Sequence, residues 1–224
     1  MTTNAPAPAP LHRLRPRTPP VPPVVHRADM TPLEWAGLHR DGLLAPLWLD
    51  AARVTTHPED PAVRAAALHA LVPHRAAVGR RSAAWVHTGG TPPPRVDVLV
   101  RTRARRPDPH PDRRTHEADL AQDDVVDLGE VRVTTVLRTA LDVARWLPAD
   151  DAVPVLRALV GVGLDTGRAL RLLTERSGGR GVRGARAVLA RVDAERGASC
   201  GPAEPCRSQA RIAGSSAPRD PVIR

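Results

Sequence analysis

Residues 131–147 read VRVTTVLRTALDVARWL, and the period of their apolar residues changes halfway. Val131, Val133 and Thr135 alternate with Arg132 and Thr134, the two-residue period of a strand. From Val136 onward, Val136, Ala140, Val143, Ala144 and Leu147 fall at helical spacing on one face. Thr134 or Thr135 offers a hydroxyl where the first helical amides need an acceptor. The stretch therefore predicts a strand running directly into a capped helix, with Arg138, Thr139 and Asp142 in its first turns. Arg138 and Asp142 stand four apart on that helix. Exposed, such a pair contributes a few tenths of a kcal/mol; buried, it ties the helix to neighbouring backbone carbonyls.

Working outward, residues 123–128 read as a short strand joined to this element at Gly129. Val96, Val98 and Val100 alternate with Arg95, Asp97, Leu99 and Arg101 and predict another strand. Between them, residues 101–114, RTRARRPDPHPDRR, hold six arginines against two aspartates. The prolines make this a loop or a hairpin turn, with a return strand over 115–120. Arg101, Arg103, Arg105 and Arg106 are its candidate phosphate contacts, because a guanidinium offers paired donors to phosphate oxygens.

Upstream, residues 59–72 predict a helix with Pro61 in its first turn and Ala62, Ala66, Leu68 and Val72 buried. Ser82 reads as the cap of a short helix carrying Ala83, Ala84 and Trp85. Thr31-Pro32 opens an earlier helix bearing Leu33, Ala36 and Leu38, stopped at Gly42. Residues 43–54 read as two extended pieces broken near Asp50. A helix followed by a hairpin is the closing part of a winged helix, but the sequence before it is proline-rich. Residues 1–29 are expected to be a disordered tail. Downstream come helices over 150–160, with aspartate caps, 166–176, capped by Thr166, and 182–194, burying Ala185, Val188, Leu189 and Val192. Periodicity ends at Glu195, and 196–224 is expected to be a loosely docked or truncated tail. The predicted class is α+β and mainly helical. It has an incomplete winged-helix-like part over 30–57 and a small antiparallel sheet packed on helices over 58–195.

Composition narrows the function classes. The 224 residues carry 33 basic side chains, all arginine, and a formal net charge of +9. Coding bias in a GC-rich genome accounts for arginine over lysine, but not for the sign of the net charge, which favours polyanionic partners. With no Phe or Tyr and four Trp, the chain lacks the aromatic rings on which single-strand binders stack bases. Cys200 and Cys206 are too few for a disulfide framework and have no nearby zinc partners. No apolar run is long enough for a membrane span, and the start lacks a signal-peptide core, so the expected compartment is the cytoplasm.

Catalytic motifs are weak. His69 and His74 are separated by Pro73, and His110 and His116 flank a loop, so neither pair has the spacing that puts two imidazoles on one helical face. Asp123, Asp124 and Asp127 read as a solvated turn rather than a metal cluster. There is no phosphate loop with lysine and no nucleophile elbow. No metal and no cofactor is expected.

The run Gly79-Arg80-Arg81-Ser82-Ala83-Ala84-Trp85, the valine strand, and the Thr135, Arg138, Thr139, Asp142 pattern together resemble actinobacterial AbiEi-family antitoxins. These belong to type IV toxin–antitoxin systems and are often described as transcriptional regulators. The resemblance covers about residues 33–195. It implies a winged helix that binds double-stranded DNA, with Arg40 on the reading helix and Arg53 on the wing as phosphate contacts, and a toxin-system partner. The supporting helices of that winged helix are replaced here by proline-rich sequence. Residues 195–224, with Glu204 and Arg207, resemble the entry to a very-short-patch-repair-like endonuclease domain, without its acidic metal-binding strands. The expected activity is therefore non-enzymatic DNA binding. An inactive endonuclease relative and a protein-interaction scaffold are the alternatives.

Overall fold

In a computed structural model, residues 21–175, 179 and 181–199 are described. The N-terminal part is a three-stranded antiparallel sheet in the order β1 (Val24–His26), β3 (Ala51–Val54), β2 (Leu44–Trp48), with helix α1 (Pro32–Arg40) between β1 and β2. Thr31 caps α1 through a box with Glu34: the Glu34 amide donates to the Thr31 hydroxyl at 3.3 Å, and the Thr31 amide donates to the Glu34 carboxylate at 2.8 Å. Gly42 turns the chain out of the helix with φ of 70°. The hairpin breaks at Leu49–Asp50, as the sequence predicts, and Leu49 takes φ of 45° there.

β1 corrects the reading of residues 1–29 as a tail. Proline cannot donate to a ladder, but its carbonyl still accepts, and the Val54 amide donates to the Pro23 carbonyl at 3.0 Å. Val24, Val25 and His26 then pair with Arg53, Ala52 and Ala51 as an edge strand.

The second sheet has five strands in the order β6 (Arg113–Glu117), β5 (Val96–Val100), β4 (Ala77–Val78), β8 (Val131–Thr134), β7 (Val125–Leu128). It is mixed rather than antiparallel. β4–β5 and β7–β8 run antiparallel, while β4–β8 and β5–β6 run parallel. The loop after β5 is therefore no hairpin: it carries the chain back to the start of β5 before β6 begins, as a parallel pair requires. The return strand begins at Arg113, not at Thr115.

Helix α2 (Pro61–Leu68) is capped by Asp60, whose carboxylate accepts from the Val63 amide at 2.8 Å. Its buried face is Val63, Arg64, Ala65, Ala67 and Leu68, a rotation from the predicted Ala62, Ala66, Leu68 and Val72. The rotation turns on Arg64. Its stem packs inward and its head is satisfied, Nε donating to the Val86 carbonyl at 2.9 Å and Nη1 meeting Glu59 at 3.1 Å.

Helix α3 (Arg80–Thr88) is entered from Gly79 at its N-cap position rather than from Ser82. Ser82 instead ties α3 to β5: the Asp97 amide donates to its hydroxyl at 2.8 Å. Gly79 is required by close approach, since a Cβ there would lie 2.5 Å from Leu99 Cγ. α3 joins two cores. Ala83, Trp85 and Val86 belong to the cluster built on the sheet with α2, and Ala84 belongs to the helical cluster.

That helical cluster is made by α4 (Val136–Trp146), α5 (Ala149–Gly161), α6 (Thr166–Glu175) and α7 (Val182–Ser199). Thr135 caps α4, its hydroxyl accepting from the Arg138 amide at 3.3 Å. Two expected caps differ. α5 begins after Pro148, with Asp150 and Asp151 in its first turn. α6 is closed by Asp165, which accepts from the Arg168 amide at 2.8 Å, leaving the buried Thr166 hydroxyl to meet Asp193. α7 buries Ala185, Val188, Leu189 and Val192 as predicted but runs past Ala194. In this extension Glu195 bridges Arg157 at 2.7 Å and Arg191 at 3.2 Å. Residues 200–224, with Cys200, Glu204, Cys206 and Arg207, lie outside the described residues. The class is α+β and mainly helical, as predicted. Among the described residues, no helix is long and apolar enough to cross a membrane.

Candidate nucleic-acid interface

The loop between β5 and β6 lies against the turn before β4 and the outward face of β8. Together they enclose an open groove of about 900 Å³. Six arginines line it: Arg75, Arg101, Arg105, Arg106, Arg113 and Arg132, with Asp108 as the acidic residue of the lining. Apolar residues, including Val72 and Ala76 from the segment before β4 and Val100 of β5, form its floor.

The six are not equivalent. Arg113 is spent on the fold, donating to the Leu71 carbonyl at 3.1 Å and to the Asp108 carbonyl. Arg106 grips Glu117 through Nε at 3.0 Å and Nη2 at 2.8 Å. Arg132 reaches Asp127 only at 4.0 Å. Arg75, Arg101 and Arg105 are exposed, and their side chains make no ion pair or hydrogen bond among the described residues. Charge held near an apolar floor and left uncompensated is what a phosphate backbone meets most favourably.

Of the residues expected to touch DNA, Arg101, Arg105 and Arg106 come together in this groove. Arg103 sits on the same loop, exposed, with φ of 64°, outside the lining. Arg40 lies exposed in the last turn of α1, in the N-terminal part. Arg53 on β3 is half-buried and donates to the His57 carbonyl of its own turn. α1 buries none of its residues, and Leu33 is 78% exposed.

Three groove arginines are not among the candidates from the sequence: Arg113, although it lies in the basic run 101–114, and Arg75 and Arg132. Arg132 had a signal: it is the outward position in the alternation of 131–135. Arg75 had none, since it follows Pro73-His74 with no periodicity around it.

The Thr135, Arg138, Thr139, Asp142 pattern lies outside the groove's lining, at the joint between β8 and α4. Thr139 is fully buried and its hydroxyl meets that of Thr134 at 2.7 Å, locking the strand-to-helix joint. Arg138 Nε donates to Asp142 at 3.0 Å; its Nη1 donates to Asp124 at 2.7 Å and to the Asp119 carbonyl at 3.0 Å. Asp124, expected in a solvated turn, is thus drawn into a buried network. Burial works against the Arg138 charge, but Asp142 and Asp124 outweigh it and hold the guanidinium's pKa up. Burial pushes the Asp142 carboxyl up against the pull of Arg138, Arg80 and Arg145. This network anchors α4 to the segment before β7.

The histidines are placed singly. His116 Nε2 donates to Asp97 at 2.8 Å, and His87 Nε2 donates to the Thr134 carbonyl at 2.6 Å. His69 faces Glu130 at 3.4 Å, and His110 faces Asp112 at 3.9 Å. Among the described residues, no three His, Cys, Asp or Glu side chains converge as a metal site.

No protein-family model matches the chain, and no curated protein matches it. Among solved structures, it is similar to the RV2827C protein from Mycobacterium tuberculosis, at 20% identity over 80% of this chain and 78% of that one, with a TM-score of 0.37.

Proposed function

We propose that this chain is a DNA-binding, AbiEi-like transcriptional regulator of a type IV toxin–antitoxin system, in a degenerate form, working in the cytoplasm by binding rather than by catalysis. The observation that carries the DNA-binding part is the arginine groove beside β5, β6 and β8, whose Arg75, Arg101 and Arg105 are uncommitted. The β1–β3–β2 sheet with the uncovered α1 supports it as a second, weaker surface carrying Arg40. The antitoxin part rests on the sequence resemblance over residues 33–195.

Duplex binding is tested by titrating the purified chain against labelled double-stranded DNA at stepped salt. Each phosphate neutralised contributes about 0.9 to the slope of log affinity against log salt. A slope of at least three, falling when Arg101 and Arg105 are replaced, is the expected result. No affinity at low ionic strength removes the DNA part of the reading. The antitoxin part is tested separately, by co-expression with the product of an adjacent nucleotidyltransferase-like gene: growth rescue is expected.

A further inference from the structure

A second recess of about 320 Å³ lies between the end of β5, the start of α3 and the end of α4, with Arg80, Leu99, Arg138, Asp142, Arg145 and Trp146 around it. Its centre is Arg80. This residue opens α3 with φ of 51°, a left-handed backbone that a side-chain-bearing residue takes only when its surroundings impose it. Its Nε is the buried side-chain polar atom that has no hydrogen-bond partner among the described residues. Its Nη1 lies 3.4 Å from His116 Nε2, but that nitrogen already donates its proton to Asp97 at 2.8 Å and has no lone pair for Arg80. Arg80 therefore carries a half-buried charge with no good acceptor. Burial alone depresses its pKa, with Asp97 and Asp142 pulling the other way. Leaving a buried donor unmet is costly, and an incoming acceptor relieves it.

The neighbours define what that acceptor is. Arg80 and Arg145 both lie over the Trp146 ring, at 5.1 and 5.2 Å from its centroid, so two guanidiniums converge on one half-exposed indole. Two of the acids around the recess are engaged, Asp142 by Arg138 and Glu117 by Arg106. Asp119 stands exposed at the rim, its carbonyl taken by Arg138. Paired planar donors fit a phosphate's oxygens, and the volume is at the small end of ligand sites, too small for a duplex.

We propose that this recess binds a phosphate monoester group, gripped by Arg80 and Arg145 beside Trp146. The phosphate is that of a small sugar phosphate or the terminal phosphate of a nucleic-acid strand. The site does not depend on duplex binding in the arginine groove, and substitutions of Arg101 and Arg105 leave it intact.

The test uses the full chain in calorimetric titrations at ionic strength fixed with chloride. One arm uses ribose 5-phosphate with ribose as control; the other compares an oligonucleotide duplex with and without a 5′-phosphate. Arg80→Lys keeps the cation but removes Nε and the fork, and is expected to weaken phosphate binding at least ten-fold. Asp119→Asn removes rim repulsion while keeping the backbone carbonyl, and is expected to tighten binding two- to five-fold. Ribose 5-phosphate binding that is sensitive to Arg80→Lys supports the free ester. A preference for the phosphorylated end with the same sensitivity supports the strand terminus. If neither arm shows binding that Arg80→Lys weakens, the proposal is overturned. Weaker binding by Asp119→Asn would also overturn it, because that variant leaves the Arg138 network in place and its folding is checked by melting temperature.

Discussion

The same residue type does opposite work at the α4 joint and in the groove. Around the α4 joint, Arg138 is 7% exposed and carries two carboxylates and a carbonyl. In the groove, Arg101 and Arg105 stand in solvent with no partner among the described residues. Composition alone treats all 33 basic residues alike. Their surroundings divide them into arginines that complete the fold and arginines that the fold leaves available. The first kind should govern stability and the second affinity, with little crossover.

The sharpest way to break that division is Asp142→Ala. It removes one of the two carboxylates on a buried guanidinium, and is expected to cost about 2–4 kcal/mol, or roughly 5–15 °C of melting temperature. Duplex affinity measured well below the new transition should stay within about two-fold. A variant that melts normally but no longer binds DNA would put α4 in the interface instead. Next in size is Arg64→Met, which keeps the packed stem but abandons the Val86 carbonyl and Glu59. Denaturant unfolding should show a loss of about 1–2 kcal/mol, again without change in DNA affinity. On the other side, replacing Arg101 and Arg105 together by Ala should move the melting point by less than about 1 kcal/mol equivalent while lowering the salt slope by about two. A large stability loss there would show that the groove arginines are structural after all.

The smallest expected effect is on pH dependence. Burial lowers the pKa of His87 below its ordinary 6.5, with Arg64 adding to the effect and the Thr134 carbonyl opposing it. The unfolded chain then binds a proton before the folded one does. Stability from this group is complete above pH 6.5, falls as pH drops through that value, and levels off below the depressed folded pKa. His87→Gln keeps a donor for Thr134 and should flatten this part of the stability–pH curve. An unchanged slope would mean that another group titrates.

Much of the architecture is legible in the sequence because each element announces its own period. The 131–147 stretch shows both its strand and its helix, and Thr135 caps where a hydroxyl is needed. What is not legible depends on partners far away in the chain. β4 is two residues long and has no period to read. The parallel course of β6 is set by where a twelve-residue connection returns (101–112), and no local pattern encodes it. Arg64 looks outward-facing until the last carbonyls of α3 are seen to receive it. The candidate interface follows the same rule. Arg101, Arg105 and Arg106 form a visible cluster, whereas Arg75 joins them only through the fold. The resemblance pattern is visible as residues, but its role as a buried anchor needs Asp124 and the Asp119 carbonyl, contributed from before β7.

The brevity of β4 has a mechanical consequence. Among the described residues, the short strand β4, continued by the Gly79 amide donating to the Asp97 carbonyl at 2.9 Å, is what bridges the β5–β6 pair and the β7–β8 pair in this sheet. The sheet thus has a seam, and partial opening should part it there into two separately fluctuating units. The arginine groove straddles that seam, with Arg101 and Arg105 contributed from one side and Arg132 from the other. A polyanion seated across it would act as a clasp, binding only the closed sheet and holding it closed by mass action.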